Sequence, residues 1–130
     1  MATGSEVAET VGKLIDAFNS RDIGEIDAVI ADSGRVLGIG SDPDEWWVGR
    51  ERLVSVMESQ LAEMGGALWE LRESVSSDGW MASKVDVRMP DGSSVSGRIT
   101  VACTPDGKVE HFHFSIGVAN EAAIGMNLTT

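Results

Sequence analysis

The first half of the chain has the hydrophobic period of amphipathic helices. The stretch Glu6–Asn19 predicts one helix, because its apolar residues recur three or four positions apart: Val7, Val11, Leu14, Ile15 and Phe18. Thr3 and Glu6 stand three apart ahead of it, the spacing of a capping box. A short second helix is predicted after the Asn19–Arg21 break and a third over about Arg50–Met64. Between the second and third helices, the apolar residues Val36, Leu37 and Ile39 predict a short strand.

Beyond Gly66 the period changes from 3.6 to two, which predicts four longer strands. Their connections are only about three residues long and rich in Gly, Pro and Asp, so consecutive strands should run antiparallel. Helices followed by a meander of strands indicate the α+β class, with three N-terminal helices packed on a mainly antiparallel sheet in one domain over residues 1–130. The predicted strands cover about Leu68–Ser76, Trp80–Met89, Ser94–Thr104 and Lys108–Val118.

The alternation within these strands predicts one buried, apolar face and one solvent-exposed, polar face. The apolar face is the only surface large enough for the helices to cover. It should carry Met81, Val85, Val87, Met89, Val95, Ile99, Val101, Phe112 and Phe114. The polar face should carry Lys84, Asp86, Arg88, Arg98, Thr100, His111, His113 and Ser115.

Composition and charge narrow the possible functions. The chain has 130 residues, with 10 Lys and Arg against 21 Asp and Glu, for a formal net charge of −11. Such a field repels phosphate backbones and anionic headgroups, so neither a nucleic-acid nor a membrane partner is expected. Because Cys103 is the only cysteine, the chain cannot form an internal disulfide. The N-terminus lacks the features of a signal peptide. We therefore expect a reduced, cytoplasmic setting.

Several segments resemble the nuclear-transport-factor-2-like superfamily, also called ketosteroid-isomerase-like or cystatin-like. Ala17–Asp22 resembles the segment that joins the first two helices in that family, and Val36–Gly38 resembles the family's short first strand. Gly38–Leu53 is similar to the segment leading into the third helix of SnoaL-like members, and Lys108–Ser115 to their last strand. The resemblance spans roughly Glu6–Val118 and implies a curved sheet wrapped around a cone-shaped cavity that the helices plug.

The resemblance also implies a homodimer formed through the outer face of the sheet, and a ligand site inside the cone. A small hydrophobic ligand is expected there, with no cofactor. In the isomerases, a carboxylate base on the first strand removes a proton beside a carbonyl, and two hydrogen-bond donors stabilise the enolate that forms. The resemblance puts Gly38 at the base and Leu14 and Ile99 at the two donors, and the chain contains no tyrosine. The expected ligand-binding residues are Leu14, Phe18, Trp46, Trp47, Met57, Met81, Ile99, Val101, Phe112 and Phe114.

Other polar residues could carry chemistry. Asp42, Asp44 and Glu45 are dense enough to attract a hard cation, but Asp-Pro-Asp is common turn chemistry and no further ligand set accompanies it. His111 and His113 share one strand face, and nothing else in the sequence completes a metal site around them. We therefore expect no metal.

Two functions remain open at this stage. One is a pocket protein that binds a small hydrophobic molecule without the isomerase set. The other is a cyclase, dehydratase or isomerase for a small polyketide-like or terpenoid substrate, using His113 as the base together with Asp42 or Asp86. Whether the His113 ring enters the cavity distinguishes the two.

Overall fold

A computed structural model describes residues 1–116 of the chain. These residues form three helices and six strands, in the α+β order that the sequence predicts, except for one additional short strand. The last two residues of the predicted final strand, 117 and 118, lie outside the described residues. The elements are α1 (Gly4–Ser20), α2 (Ile23–Val29), β1 (Leu37–Ile39), β2 (Trp46–Val48), α3 (Arg50–Met64), β3 (Leu68–Ser77), β4 (Trp80–Arg88), β5 (Ser94–Cys103) and β6 (Val109–Ile116).

Local side-chain chemistry fixes where the first two helices begin. The Thr3 hydroxyl accepts from the Glu6 N–H at 3.1 Å while the Glu6 carboxylate accepts from the Thr3 N–H at 3.0 Å. This confirms the predicted capping box. Asp22 caps α2 in the same way, accepting from the Glu25 N–H at 3.1 Å. No helix in residues 1–116 is both long and apolar enough to cross a membrane.

The six strands form one sheet in the order β2-β1-β6-β5-β4-β3. The predicted antiparallel meander of β3, β4, β5 and β6 is confirmed. β1 runs parallel to β6, with Gly38 opposite Phe112, and β2 extends the sheet by pairing antiparallel with β1. The sequence did not predict β2 as a strand, because three residues are too few to establish a period.

The predicted faces of the long strands are confirmed by burial. Met81, Val85 and Val87 of β4 are at most 4% exposed, as are Ile99 and Val101 of β5. The inner face of the sheet therefore belongs to a single core cluster, which also includes the apolar stripe of α1. α1 contacts β3, β4 and β5, whereas α3 contacts mainly β1, β2 and α2.

A β-bulge in β3 changes which residues face inwards. Leu71 pairs with Val85 and Ser74 with Ser83, so Arg72 and Glu73 together oppose a single residue of β4. Trp69, before the bulge, is 7% exposed and faces the core. Val75, after the bulge, lies on the outer face and is 63% exposed.

Candidate functional site

An apolar cavity of about 540 Å³ opens between α3 and the inner face of the sheet. α1 contacts β3, β4 and β5 but leaves part of their inner face open beside α3, which contacts mainly β1, β2 and α2. Its size is typical of a site for a small organic molecule. The apolar lining consists of Trp47, Leu53, Val56, Met57, Met64, Trp69, Val87, Met89, Val95, Phe112, Phe114 and Ile116.

Aromatic rings hold one wall of the cavity in place. The Trp69 and Phe114 ring centroids lie 5.0 Å apart at a tilt of 51°. Phe18 of α1 supports this wall from behind, 5.1 Å from Trp69 and 6.1 Å from Phe112. Tilted and edge-on pairs of this kind are favoured by the ring quadrupoles, so the wall is preorganised.

The opposite wall depends on the absence of a side chain at Gly38. A Cβ at that position would overlap Leu53 Cδ1 and would lie 3.0 Å from Trp47 Cε3. Glycine in β1 thus lets the side chains of Leu53 and Trp47 pack directly against the strand.

The mouth of the cavity is polar and acidic. Ser41, Asp42 and Glu45, from the turn after β1, meet Gln60 and Glu63 of α3 there. The Glu45 Oε1 accepts from the Asp42 N–H at 2.8 Å, which fixes that carboxylate on the turn. None of the residues described as lining the cavity is Lys, Arg or His.

A larger groove of about 770 Å³ crosses β3, β4 and β5 around the bulge. It is shallow and lined largely by charged side chains, including Arg72, Lys84, Asp86 and Arg98. A shallow, charged groove of this kind encloses an organic molecule less well than a cavity does. We therefore take the smaller apolar cavity as the candidate site.

Four of the ten residues predicted to bind a ligand line this cavity: Trp47, Met57, Phe112 and Phe114. Phe18 borders only a void of about 20 Å³ that lies beside the same aromatic rings.

The other five predicted residues do not line this cavity. Leu14, Met81, Ile99 and Val101 are at most 4% exposed and do not line the cavity. All four belong to the buried core cluster. Trp46 is 59% exposed and pairs with Ile39, on the face opposite the cavity-lining Trp47.

The predicted lining also missed several residues. Trp69, Val87, Met89 and Val95 all line the cavity. The strand alternation had put the last three on the inner face. What the alternation could not predict is which part of that face the helices leave uncovered.

Two of the three catalytic candidates lie away from the cavity. His113 is exposed and pairs with Thr100 and Ile39 on the outer face, because Phe112 and Phe114 on either side of it point inwards. The Asp86 carboxylate accepts from Arg72 Nε at 2.7 Å, also on the outer face, and that hydrogen bond lowers the pKa of Asp86. In this geometry neither His113 nor Asp86 faces the cavity. Only Asp42 lines the cavity.

The described residues also bear on the metal question. Residues 1–116 contain no group of three or more His, Cys, Asp or Glu side chains arranged to hold an ion. Asp42 and Glu45 instead shape the turn through the backbone contact described above.

Comparison with known proteins identifies the family and the fold. Residues 11–112 match the model of the SnoaL-like domain. No curated protein matches the chain significantly.

Solved structures resemble this chain over most of its length. An NTF2-like protein of unknown function from Mesorhizobium loti shares 19% identity at a TM-score of 0.73, covering 88% of this chain and 93% of that one. A provisionally assigned ketosteroid isomerase from Kribbella flavida shares 17% identity at a TM-score of 0.76, covering 89% and 81%. A de novo designed protein with a curved β-sheet shares 12% identity at a TM-score of 0.73, covering 94% of this chain and 93% of that one. Likeness at these identities concerns the fold alone, which hosts many functions.

Proposed function

Because the chain belongs to the SnoaL-like domain family, we propose that it binds a small hydrophobic molecule in the cavity between α3 and the sheet. The observation that carries the proposal is the apolar lining of that 540 Å³ space, which includes Trp47, Trp69 and Phe112. Burying apolar ligand surface there contributes about 25 cal/mol per Å² before the costs of ordering. In this proposal the cavity is the interior of the cone that the family resemblance implies.

In this proposal the chain lacks the catalytic residues of the ketosteroid isomerases. The family resemblance puts Leu14 and Ile99 where that set has its two donors, and both are hydrocarbons at most 1% exposed. The resemblance also puts Gly38 at the position of the base, and a side chain there would meet the side chains of Leu53 and Trp47. A base and an oxyanion site are both missing from these positions, which supports binding without isomerase chemistry.

The alternative enzyme, a cyclase, dehydratase or isomerase acting through His113, has less support. His113 is exposed on the outer face, so it is not within reach of a ligand in the cavity. An enzyme acting in the cavity would have to use Asp42 as its base without help from His113.

Tryptophan fluorescence tests the binding proposal, because two of the four tryptophans line the cavity and two do not. A neutral, non-fluorescent probe such as 1-adamantanemethanol should change the emission of Trp47 and Trp69 in a saturable way. The control is a Trp46→Phe, Trp80→Phe double variant, which removes only outer-face indoles and should keep the response. A response lost in that control, or no response in the unaltered protein, would refute binding in this cavity.

The same preparation tests the absence of isomerase chemistry. We expect no conversion of a β,γ-unsaturated ketosteroid, followed by the absorbance of the conjugated product. Turnover that disappears in Asp42→Asn would instead favour the enzyme reading, with Asp42 as its base.

We further propose a homodimer formed through the outer face of the sheet. The strand register aligns a band of apolar, small and neutral polar side chains across all six strands, and this outer band contains no carboxylate although the chain carries 21. Trp46, Val48, Val75 and Trp80 in it are 42–64% exposed, which is typical of an interface core. A cytoplasmic setting, where Cys103 stays reduced, belongs to the same proposal. The outer band comprises Leu37, Ile39, Trp46, Val48, Val75, Trp80, Ala82, Thr100, Ala102, His111 and His113.

A further inference from the structure

Two histidines lie at the centre of the outer band. His111 and His113 belong to β6, the third of the six strands across the sheet, and both residues are exposed. Neither forms an ion pair within residues 1–116. A partner that covered the outer band would therefore bury both imidazole rings.

The groups that face these two rings within the sheet are uncharged. Each histidine has one residue directly opposite it on β5 and one on β1, and these four neighbours are Leu37, Ile39, Thr100 and Ala102. None of them carries a charge that could balance an imidazolium ion. A charge buried without an ionic partner is costly, so a covered band favours the neutral form of both histidines.

Two charged groups lie beside the histidines, and neither reverses this preference. Arg98, on the outer face of β5, stays cationic and repels a protonated ring. Glu110 precedes His111, but its carboxylate already accepts from the Ser33 hydroxyl at 2.9 Å and from Arg35 Nη2 at 3.0 Å. These contacts, the Ser33 hydrogen bond first, lower the pKa of Glu110, so it stays ionised where histidine titrates.

The charge of the chain favours a second copy as the partner on this face. Two copies with a net charge of −11 each repel one another over most of their surfaces. The repulsion is least where no carboxylate faces the partner, and the outer band meets that condition. A basic partner would instead bind best to a surface that presents carboxylates.

From this placement we infer that the proposed homodimer forms near neutral pH and dissociates when His111 and His113 take up protons in mildly acidic solution. Two-fold symmetry brings the same band together from both copies, so each protonation adds like charge to one interface. The inference rests on the proposed homodimer and adds its regulation.

Linkage fixes the sign and the size of the effect. Because the dimer holds the rings neutral, association is strongest above the ordinary histidine pKa and weakens as the pH falls through it. An ordinary histidine, with a pKa of about 6.5, that must stay neutral at about pH 5.5 weakens association about tenfold. Symmetry counts each position twice, so one buried position gives about a hundredfold effect and both give about ten-thousandfold.

The carboxylates respond in the opposite direction. Asp and Glu ordinarily titrate near pH 4, so few of them take up protons between about pH 7.5 and pH 5.5. Those that do so reduce the repulsion between the two copies and strengthen association. Dissociation in acid would therefore distinguish the histidines from the 21 acidic side chains.

Sedimentation velocity over a dilution series measures the dissociation constant of the dimer at about pH 7.5 and pH 5.5, at constant ionic strength. We expect the constant to rise at least about a hundredfold at the lower pH. Circular dichroism should show the same folded spectrum at both pH values. A loss of ellipticity at the lower pH would overturn the inference, because unfolding would then cause the dissociation.

A variant without histidine is the control. His111 and His113 are the only histidines in the chain, so His111→Gln with His113→Gln removes every imidazole and keeps both positions polar and uncharged. Its dissociation constant should be equal at the two pH values or lower in acid. The single variants should each retain the response of the histidine that remains.

Proton NMR of the imidazole rings gives a second measurement that needs no substitution. Since the dimer favours the neutral rings, linkage requires the titration midpoint of the histidine signals to rise as the protein is diluted and dimers dissociate. A midpoint that does not depend on protein concentration would overturn the inference.

The outcomes separate the inference from the homodimer on which it rests. A monomer at both pH values refutes the homodimer, and the inference with it. A dimer with the same dissociation constant at both pH values, or a loss of affinity in acid that persists in the double variant, overturns the inference and leaves the homodimer standing.

Discussion

Replacing Gly97 with alanine should destabilise the protein, because β5 and β6 approach closely at that residue. A Cβ there would lie 2.8 Å from the backbone carbonyl oxygen of Ser115 and 2.8 Å from Phe114 Cε2. The carbonyl belongs to the paired strand and cannot rotate away, so the sheet itself must shift. Overpacking of this kind costs about 1–3 kcal/mol, and alanine recovers about 0.5–1 kcal/mol through the entropy of the unfolded chain. We expect a net loss of about 1–2 kcal/mol.

Gly12→Ala is the matched control. Gly12 lies in the interior of α1 with no atom within 4 Å of its would-be Cβ. Here alanine should stabilise the protein by about 0.5–1 kcal/mol, the ordinary helix preference. Urea unfolding followed by circular dichroism measures both variants. If Gly97→Ala matched the unaltered protein or exceeded it in stability, the β5–β6 register and the position of the cavity-lining Phe114 would both be wrong.

Three further predictions concern the core, the thiol and the dimer. Phe112→Ala should cost about 3 kcal/mol in urea unfolding, at the lower end of the range for buried phenylalanine, because Phe112 borders an open cavity; a loss below about 1 kcal/mol would contradict its placement. Burial and the charge of Asp106 raise the pKa of the Cys103 thiol to about 11. Its reaction with a disulfide reagent at about pH 8 should therefore be on the order of a hundredfold slower than that of free cysteine, rise with pH, and recover on unfolding; a rate equal to that of free cysteine would refute the burial. Thr100→Glu puts a charge in the middle of the outer band and should convert a dimer to a monomer in light scattering, whereas a monomeric unaltered protein would refute the dimer itself.

The sequence predicted the helices and strands best where the hydrophobic pattern repeats over a long segment. α3 spans Arg50–Met64 as predicted, and α1 exceeds its predicted bounds by two residues at one end and one at the other. In β4, alternation over nine residues was enough to assign faces, and burial confirms them from Met81 to Val87. Short-range patterns carried this information, because each residue's face depends only on its own strand.

The candidate site depended on information that such patterns do not contain. The sequence put Ile99 and Phe112 on the same inner face, and both are buried, but only Phe112 lines the cavity. The difference lies in where α1 and α3 stand relative to the sheet, which is a tertiary property. Trp69 was missed for a related reason, since the bulge after Leu71 interrupts the alternation that would have assigned β3 to one face.

The direction of His113 was the observation that divided the two sequence-based hypotheses. Its neighbour Phe112 pairs with Gly38 inside, so the two-residue period puts His113 outside. The pattern had predicted that face correctly, and the enzyme hypothesis required the opposite one.

Methyl NMR of the methionines tests the central claim, binding inside this cavity, most directly. Met57, Met64 and Met89 line the cavity, whereas Met81 is 4% exposed in the core and lies away from it. With methionine methyl groups labelled with carbon-13, adding 1-adamantanemethanol should shift the first three signals in a saturable way and leave that of Met81 unchanged. Signals that do not move, or a shift confined to Met81, would contradict a ligand site between α3 and the sheet.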